Sequence, residues 1–372
     1  MDKTGIANLA LSNLGESSIQ SLTDNNARAR ACNGRIDDVI TTVLKAIEGK
    51  KIENACFWTT ECILSGYSLN LWEKLIQFSS KIIHINNPKL PTYLLKKNNI
   101  LMNQMNRLAT KDKNNVLLLR NSQMVRNLFF DVITTLSLSS KTKRYDKYPK
   151  LDEKNDFNFV NVQKRLFSQM NILPNHIIHF NDPDELRIIM NELFTMCKNK
   201  QFGYDRCCYW ILWLVKWEQL HKKKKQLWNV SERNVPDISK KYRSNFIWVV
   251  WETLYEEIKI RKDLKIKKEI DSLYQLFQCN YTSGRRNGRL PLLFHAIGYL
   301  THNITFTLPI RSDYKIFIQV QCNVNKMFQA KKVNEIKTDI KVQEKPPKKG
   351  NISEEQIKDK INIFNEIDML IN

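Results

Sequence analysis

The chain predicts an all-α fold built as a multi-helix bundle, and three observations carry that expectation. Apolar residues return every three or four positions along most of its 372 residues. Short polar side chains and glycines stand where such runs begin and stop. One stretch alone, 304–320 (ITFTLPIRSDYKIFIQV), is rich enough in β-branched and aromatic residues to read as extended, as a short β-hairpin.

Ile6, Leu9, Leu11 and Leu14 space as one helix, stopped by Gly15. A second helix starts near Asp24–Asn26, where short polar side chains cap backbone N–H groups. It continues through Ile36, Val39, Ile40, Val43, Leu44 and Ile47 to Gly49. Further helical patterns cover 52–65, 69–84, 91–110 and 116–138. The segment KTKRYDKYPK at 141–150 breaks the periodicity with Pro149, two tyrosines and five basic residues, and reads as an inter-domain loop. Helical patterns resume at 159–171, 183–199, 204–225, 238–260, 263–278 and 290–303. Asp182, Pro183 and Glu185 form a good helix start, with proline early and carboxylates near the positive end of the dipole.

These breaks divide the chain into an N-terminal helical segment (1–48), a first helical domain (49–140), a basic linker (141–157) and a second helical domain (158–340). A flexible linker (341–352) with Pro346, Pro347 and Gly350 follows, then an amphipathic helix (353–372). In that helix Ser353 and Gln356 make a capping box, and Ile357, Ile361, Phe364, Ile367 and Leu370 form one apolar stripe. The stripe either packs back on its own body or captures a protein partner. Cys56-Phe57-Trp58 and Cys208-Tyr209-Trp210, each downstream of lysines, hint at an internal repeat; chance similarity of aromatic helices explains them equally well.

Charge bounds the function. The 59 Lys+Arg outnumber the 38 Asp+Glu, a net charge of +21 that favours a polyanionic partner. The 10 glycines are roughly a third of average usage, and phosphate loops, nucleophile elbows and tight active-site turns all consume glycine. The composition therefore favours binding or assembly over catalysis. At 42% hydrophobic and 10% aromatic residues, the chain is too apolar for general disorder. Its longest apolar runs, 209–215 and 246–251, fall well short of the ~20 residues that span a bilayer, so no membrane association is expected. Met1-Asp2-Lys3-Thr4 opens no secretory pattern. The eight cysteines form no Cys-x-x-Cys pair and read as reduced, mostly core thiols.

The motifs that carry chemistry are missing. Gly49-Lys50 is followed by Lys51, and Leu44 stands where a P-loop needs glycine. No G-x-S-x-G, H-E-x-x-H, G-x-G-x-x-G or EF-hand loop is present. His176 and His179 share a face if that segment is helical, yet lack a third ligand, so no metal or cofactor is expected. His295 and His302 read as packed neutral histidines. Trp210, Trp213 and Trp217 share one helical face, for which core packing is a simpler reading than base stacking. Trp248, Trp251 and Tyr255 read alike.

Basic clusters remain. Lys222, Lys223, Lys224 and Lys225 end a helix, where cations also complement the dipole. Lys262, Lys265, Lys267 and Lys268 crowd a second run. Arg285, Arg286 and Arg289 stand beside Gly284 and Gly288 on an expected loop, where guanidinium groups bind phosphates bidentately. Lys141, Lys143 and Arg144 add a fourth group in the basic linker. A solvated surface is the alternative for each. None reads base edges, so contact with nucleic acid would be sequence-tolerant.

Residues 5–44 resemble the start of phage head–tail connector proteins through Ile6-Ala7-Asn8-Leu9-Ala10-Leu11, Leu14-Gly15-Glu16, Ile19, Ser21-Leu22, Ala29-Arg30-Ala31-Cys32-Asn33 and Asp38-Val39. From Val43 onward the chain resembles helical proteins of nucleocytoplasmic large DNA viruses. Within that part, Lys45–Gly49, Phe57-Trp58, Glu61, Ser65-Gly66-Tyr67, Leu71-Trp72, Leu75 and Asn87-Pro88 are similar to the helical region of clamp-loader-like AAA+ ATPases. The nucleotide-binding domain of those ATPases has no counterpart here, so no ATPase activity is implied. The resemblances imply a viral source, with a place in the virion or the host cytoplasm. The expectation is a non-enzymatic virus-type binding or scaffold protein that contacts nucleic acid, DNA above all, through Lys/Arg surfaces. The alternative is a virion or connector component acting by protein–protein contacts.

Overall fold

The computed structural model describes residues 25–109, 119–142, 145, 147–169 and 171–331. Residues 1–24, Lys143, Arg144, the 341–352 linker and the apolar stripe of 353–372 lie outside the described residues. Among the described residues the chain is helical, without strand. Its helices are α1 (Asn25–Glu48), α2 (Ile52–Leu64), α3 (Ser68–Phe78), α4 (Leu90–Ala109), α5 (Gln123–Leu138), α6 (Phe159–Lys164), α7 (Asp184–Met196), α8 (Gly203–Lys223), α9 (Phe246–Arg261), α10 (Leu264–Gln278), α11 (Ser283–Thr301) and α12 (Tyr314–Lys331). No described helix is long and apolar enough to cross a membrane.

Local chemistry sets the helix ends. Asn245 Oδ1 accepts from Ile247 N at 3.1 Å and starts α9. Asp263 Oδ1 accepts from Lys265 N at 3.0 Å and Ile266 N at 3.1 Å and starts α10. Between them Lys262 takes a left-handed conformation (φ 58°) and reverses the chain in one residue.

Helix α11 lies at the centre. Its residues from Arg289 to Thr301 are all buried, so it has no solvent face to leave polar. Helices α8, α9 and α10 pack around it, as does a π-helical turn at Ser79–Ile83 that follows α3. Gly298 permits that approach, because a Cβ there would stand 2.2 Å from His84 Cε1. Helix α10 also packs on α4, α12 packs on α5, and α2 packs on both α1 and α5.

One hydrophobic cluster runs from Ile40 to Phe328 through all these helices. The expected division at 141–157 therefore fails as a division of the core. The segment is no free linker either. Tyr145 is buried and stacks on the His84 ring at 3.8 Å, and the Asp156 carbonyl accepts from Trp213 Nε1 at 2.7 Å. Aromatic residues that broke the helical pattern are the ones that pin the loop down.

The extended reading of 304–320 is also corrected. The chain turns through 303–313 and then forms α12. Phe317, Val324 and Phe328 are buried at spacings of seven and four, so helical periodicity prevails over local β-propensity. The turn is anchored by Arg311, fully buried and ion-paired with Asp131 of α5, while Lys97 of α4 joins the same carboxylate. Burial raises the Asp131 carboxyl, but the two cations outweigh it and hold the group below its ordinary range.

Candidate nucleic-acid interface

Helices α8 to α11 alternate in direction, so their ends gather at two poles. At the first pole α8 and α10 end while α9 and α11 begin. Arg286, near the start of α11, reaches Glu218 late in α8 at 2.7 Å and Asn245 before α9 at 3.3 Å. Arg289 donates to the carbonyls of Phe277 (2.8 Å) and Cys279 (2.5 Å) where α10 stops. At the second pole α7, α9 and α11 end together. Arg261 donates to Leu300 O at 2.6 Å and Cys197 O at 2.8 Å, and Lys200 donates to Leu300 O and His302 O, both at 3.2 Å. Cations there neutralise converging negative helix ends.

The expected arginine loop is corrected first. Arg285, Arg286 and Arg289 stand on the first turns of α11. Arg286 and Arg289 are only 6% and 5% exposed. Arg289 forks Glu73 bidentately at 2.9 and 3.0 Å. Burial raises the Glu73 carboxyl, and the Arg289 guanidinium overcomes this to hold it below its ordinary value. Arg286 also lies over the Phe246 ring at 5.0 Å. Both arginines act as internal clamps, their guanidinium groups engaged by protein acceptors. Arg285 is exposed and hydrogen-bonds only locally, to Asn280 O at 2.9 Å.

The lysines behave differently. Lys222–Lys225 are exposed at the C-terminus of α8. Lys222 is 3.3 Å from Glu218, which Arg286 already engages. Lys223, Lys224 and Lys225 form no ion pair among the described residues. Lys240 and Lys241 belong to the same pole, because the neighbouring Tyr242 ring packs 6.1 Å from Tyr281 beyond α10. Sequence reasoning missed these two lysines; only the packing of the 231–245 loop places them there.

Lys262, Lys265, Lys267 and Lys268 are exposed at the second pole, where Lys267 pairs with Asp271 at 3.0 Å. The length of α10 separates the two lysine runs by about 22 Å. The structure thus unites Lys222–Lys225 with Arg285 and keeps the 262–268 run apart. Lys141 is different again. Its Nζ donates to Ser137 O at 2.6 Å and Ser139 O at 2.8 Å, capping α5. Burial, then Lys50 nearby, lowers its pKa to about 8.

A cleft of about 380 Å³ opens beside the first pole between α3, α4, α10 and α11. Exposed Lys74 and Arg285 line it together with Trp72, Glu73 and Arg289. Gly284 has open space where a Cβ would stand, so no close backbone approach explains it.

Other candidate groups resolve into structure. His176 and His179 lie in turns rather than on a helix face; His176 stands 3.6 Å from Glu256 and His179 Nδ1 stands 2.8 Å from Arg233. Asp182 does more than start a helix, since it ion-pairs with buried Arg233 and accepts from Ser231 N at 2.9 Å. His295 is buried on α11, and burial lowers its pKa to about 3, keeping it neutral. Burial pushes the Cys56 and Cys62 thiols up to about 12, so neither supplies a thiolate at neutral pH. Cys322, in contrast, is exposed on α12. Trp210 and Trp213 are buried, as core packing requires. No group of three or more potential metal ligands occurs among the described residues. No family model matches the chain, and no curated protein or solved structure matches it significantly.

Proposed function

We propose that this is a non-enzymatic helical protein, of virus type, that binds nucleic acid without sequence preference through its first pole. The observation that carries the reading is a division of labour among cations. Glu218, Glu73 and Glu232 are engaged by Arg286, Arg289 and Arg243. Lys223, Lys224, Lys225, Lys240, Lys241 and Arg285 are left exposed without an ion pair among the described residues. Such flexible cations at one end of a rigid bundle suit phosphate contact and counterion release, and offer nothing that reads base edges.

Fluorescence anisotropy with the full chain tests this. Duplex DNA and single-stranded RNA of several sequences should bind alike at low salt. Replacing Lys223, Lys224, Lys225 and Arg285 with Ala should flatten the salt slope by about one per residue removed. Ala at Lys262, Lys265 and Lys268 should change binding less. Equal losses from the two sets would assign binding to diffuse charge rather than to this pole.

A second reading, a structural virion or connector component acting through protein contacts, has its own observation. Phe180, Phe159 and Phe167 are 95%, 69% and 60% exposed. Large exposed aromatics mark interaction surfaces. Absent nucleic-acid retention at low salt, with self-association abolished by Phe180→Ser, would favour it.

A further inference from the structure

A second cavity, of about 350 Å³, lies between α6, α7 and α8, away from the basic cleft. That volume is at the small end of the range for ligand pockets. Its wall holds Phe157, Trp213 and Trp217, whose rings lie nearly parallel: Trp213 and Trp217 are 4.8 Å apart at 17°, and Phe157 is 5.2 Å from Trp213 at 19°. Val162, Leu166 and Ile189 add aliphatic surface.

Two carboxylates, Glu185 and Glu192, line this largely apolar space, together with the polar side chains of Gln163, Ser168, Gln169 and Asn191. Glu192 is fully buried. Its Oε2 accepts from Phe167 N and Ser168 N, both at 2.8 Å, while its Oε1 has no hydrogen-bond partner among the described residues. Asn191 beside it is spent, its Oδ1 accepting from Ile172 N and Leu173 N. Neighbouring arginines do not supply the missing donor: Arg165 serves Asp156 and Tyr209, and Arg206 lies over the Phe167 ring at 4.0 Å. A buried carboxylate oxygen left unmatched is costly, and a charged N–H donor relieves it best. Parallel aromatic faces beside it attract the same kind of charge. In a chain of net charge +21 the overall field repels cations, so any cation preference here must be local.

We propose that this cavity binds a small organic cation: a primary ammonium carried on a compact aromatic body. The ammonium donates to Glu192 Oε1, Glu185 adds negative potential at the same wall, and the body rests against Phe157, Trp213 and Trp217. The site is independent of the nucleic-acid reading, because none of the first-pole lysines lines it.

The test titrates the full chain with phenethylammonium by calorimetry, alongside neutral 2-phenylethanol and anionic 3-phenylpropionate. One-site binding of the cation is expected, at least about tenfold tighter than the alcohol, with the anion weakest. Glu192→Gln should erase that tenfold preference. Since Glu192 also holds the 167–168 backbone, circular dichroism checks the fold. If that variant fails to fold, Val162→Trp, which fills the cavity without touching Glu192, decides, and it should abolish binding. No saturable binding, equal binding of cation and alcohol, or binding unchanged in Val162→Trp would each overturn the proposal.

Discussion

The two poles of the α8–α11 bundle hold the same residue types and engage them through a different balance of acceptors. At the second pole three helices end together, and their bare carbonyls draw Arg261 and Lys200 inward. At the first pole α9 and α11 begin where α8 and α10 end, just as α8 and α10 begin at the second pole, so both poles mix helix starts with helix ends. At the first pole Arg286 and Arg289 pair with carboxylates below the surface, and the lysines of 222–225 stay in water. At both poles the arginines reach buried carbonyls and carboxylates while the lysine runs stay exposed, so the acceptors within reach, more than the local run of charges, decide which cations hold the fold together.

The largest expected effect breaks the first pole's interior. Arg289→Ala leaves Glu73 and the carbonyls of Phe277 and Cys279 without their donor. A loss of about 3–5 kcal/mol in urea unfolding is expected, as for other buried pairs broken on one side. A change below about 1 kcal/mol would show that Glu73 and the carbonyls find water instead.

A pH effect follows from α10. Burial raises the Glu269 carboxyl to about 7, although Thr92 N donates to it at 2.9 Å and partly opposes the shift. The folded state then holds a proton that the unfolded state has released. Stability should therefore fall as pH rises from about 4.5 to 7, by up to about 3 kcal/mol from this group. Glu269→Gln should remove that part of the slope in denaturation series at pH 4.5, 6 and 7.5; an unchanged slope would place the titration elsewhere.

At the second pole, Arg261→Ala frees the Leu300 and Cys197 carbonyls together with Glu257, its partner at 2.8 Å. About 1–3 kcal/mol should be lost, with nucleic-acid affinity nearly unchanged. The smallest effect on stability belongs to Lys223, Lys224 and Lys225. Their joint replacement by Ala should leave the free energy of unfolding within about 0.5 kcal/mol of the parent in urea denaturation, because exposed side chains contribute little.

Much of this fold was legible as periodicity. The 52–65, 91–110, 183–199 and 263–278 patterns match α2, α4, α7 and α10 within a few residues. Gly284 and Gly288 misled because glycine usually breaks helices, yet the buried run of Arg289–Thr301 holds α11 together from Ser283 onward. The 304–320 segment misled because Ile, Thr and Phe favour strands locally, while long-range anchoring of Arg311 on Asp131 set its path. Charge runs were legible as runs, but not their fates: nothing in the sequence pairs Arg289 with Glu73, 216 positions away. Lys240 and Lys241 were invisible as site residues, since no local pattern places their loop at the first pole. For the same reason the unmatched oxygen of Glu192 left no mark in the sequence.

The most direct measurement is the salt dependence of duplex DNA binding by the full chain, set beside that of the Lys223, Lys224, Lys225 and Arg285 to Ala variant. Between 50 and 200 mM salt the parent should lose about a thousandfold in affinity if the six first-pole cations carry the contact, and the variant, which keeps Lys240 and Lys241, should lose only about tenfold. Parent and variant curves that superimpose, or no binding by the parent at 50 mM, would contradict the assignment of nucleic-acid contact to the first pole.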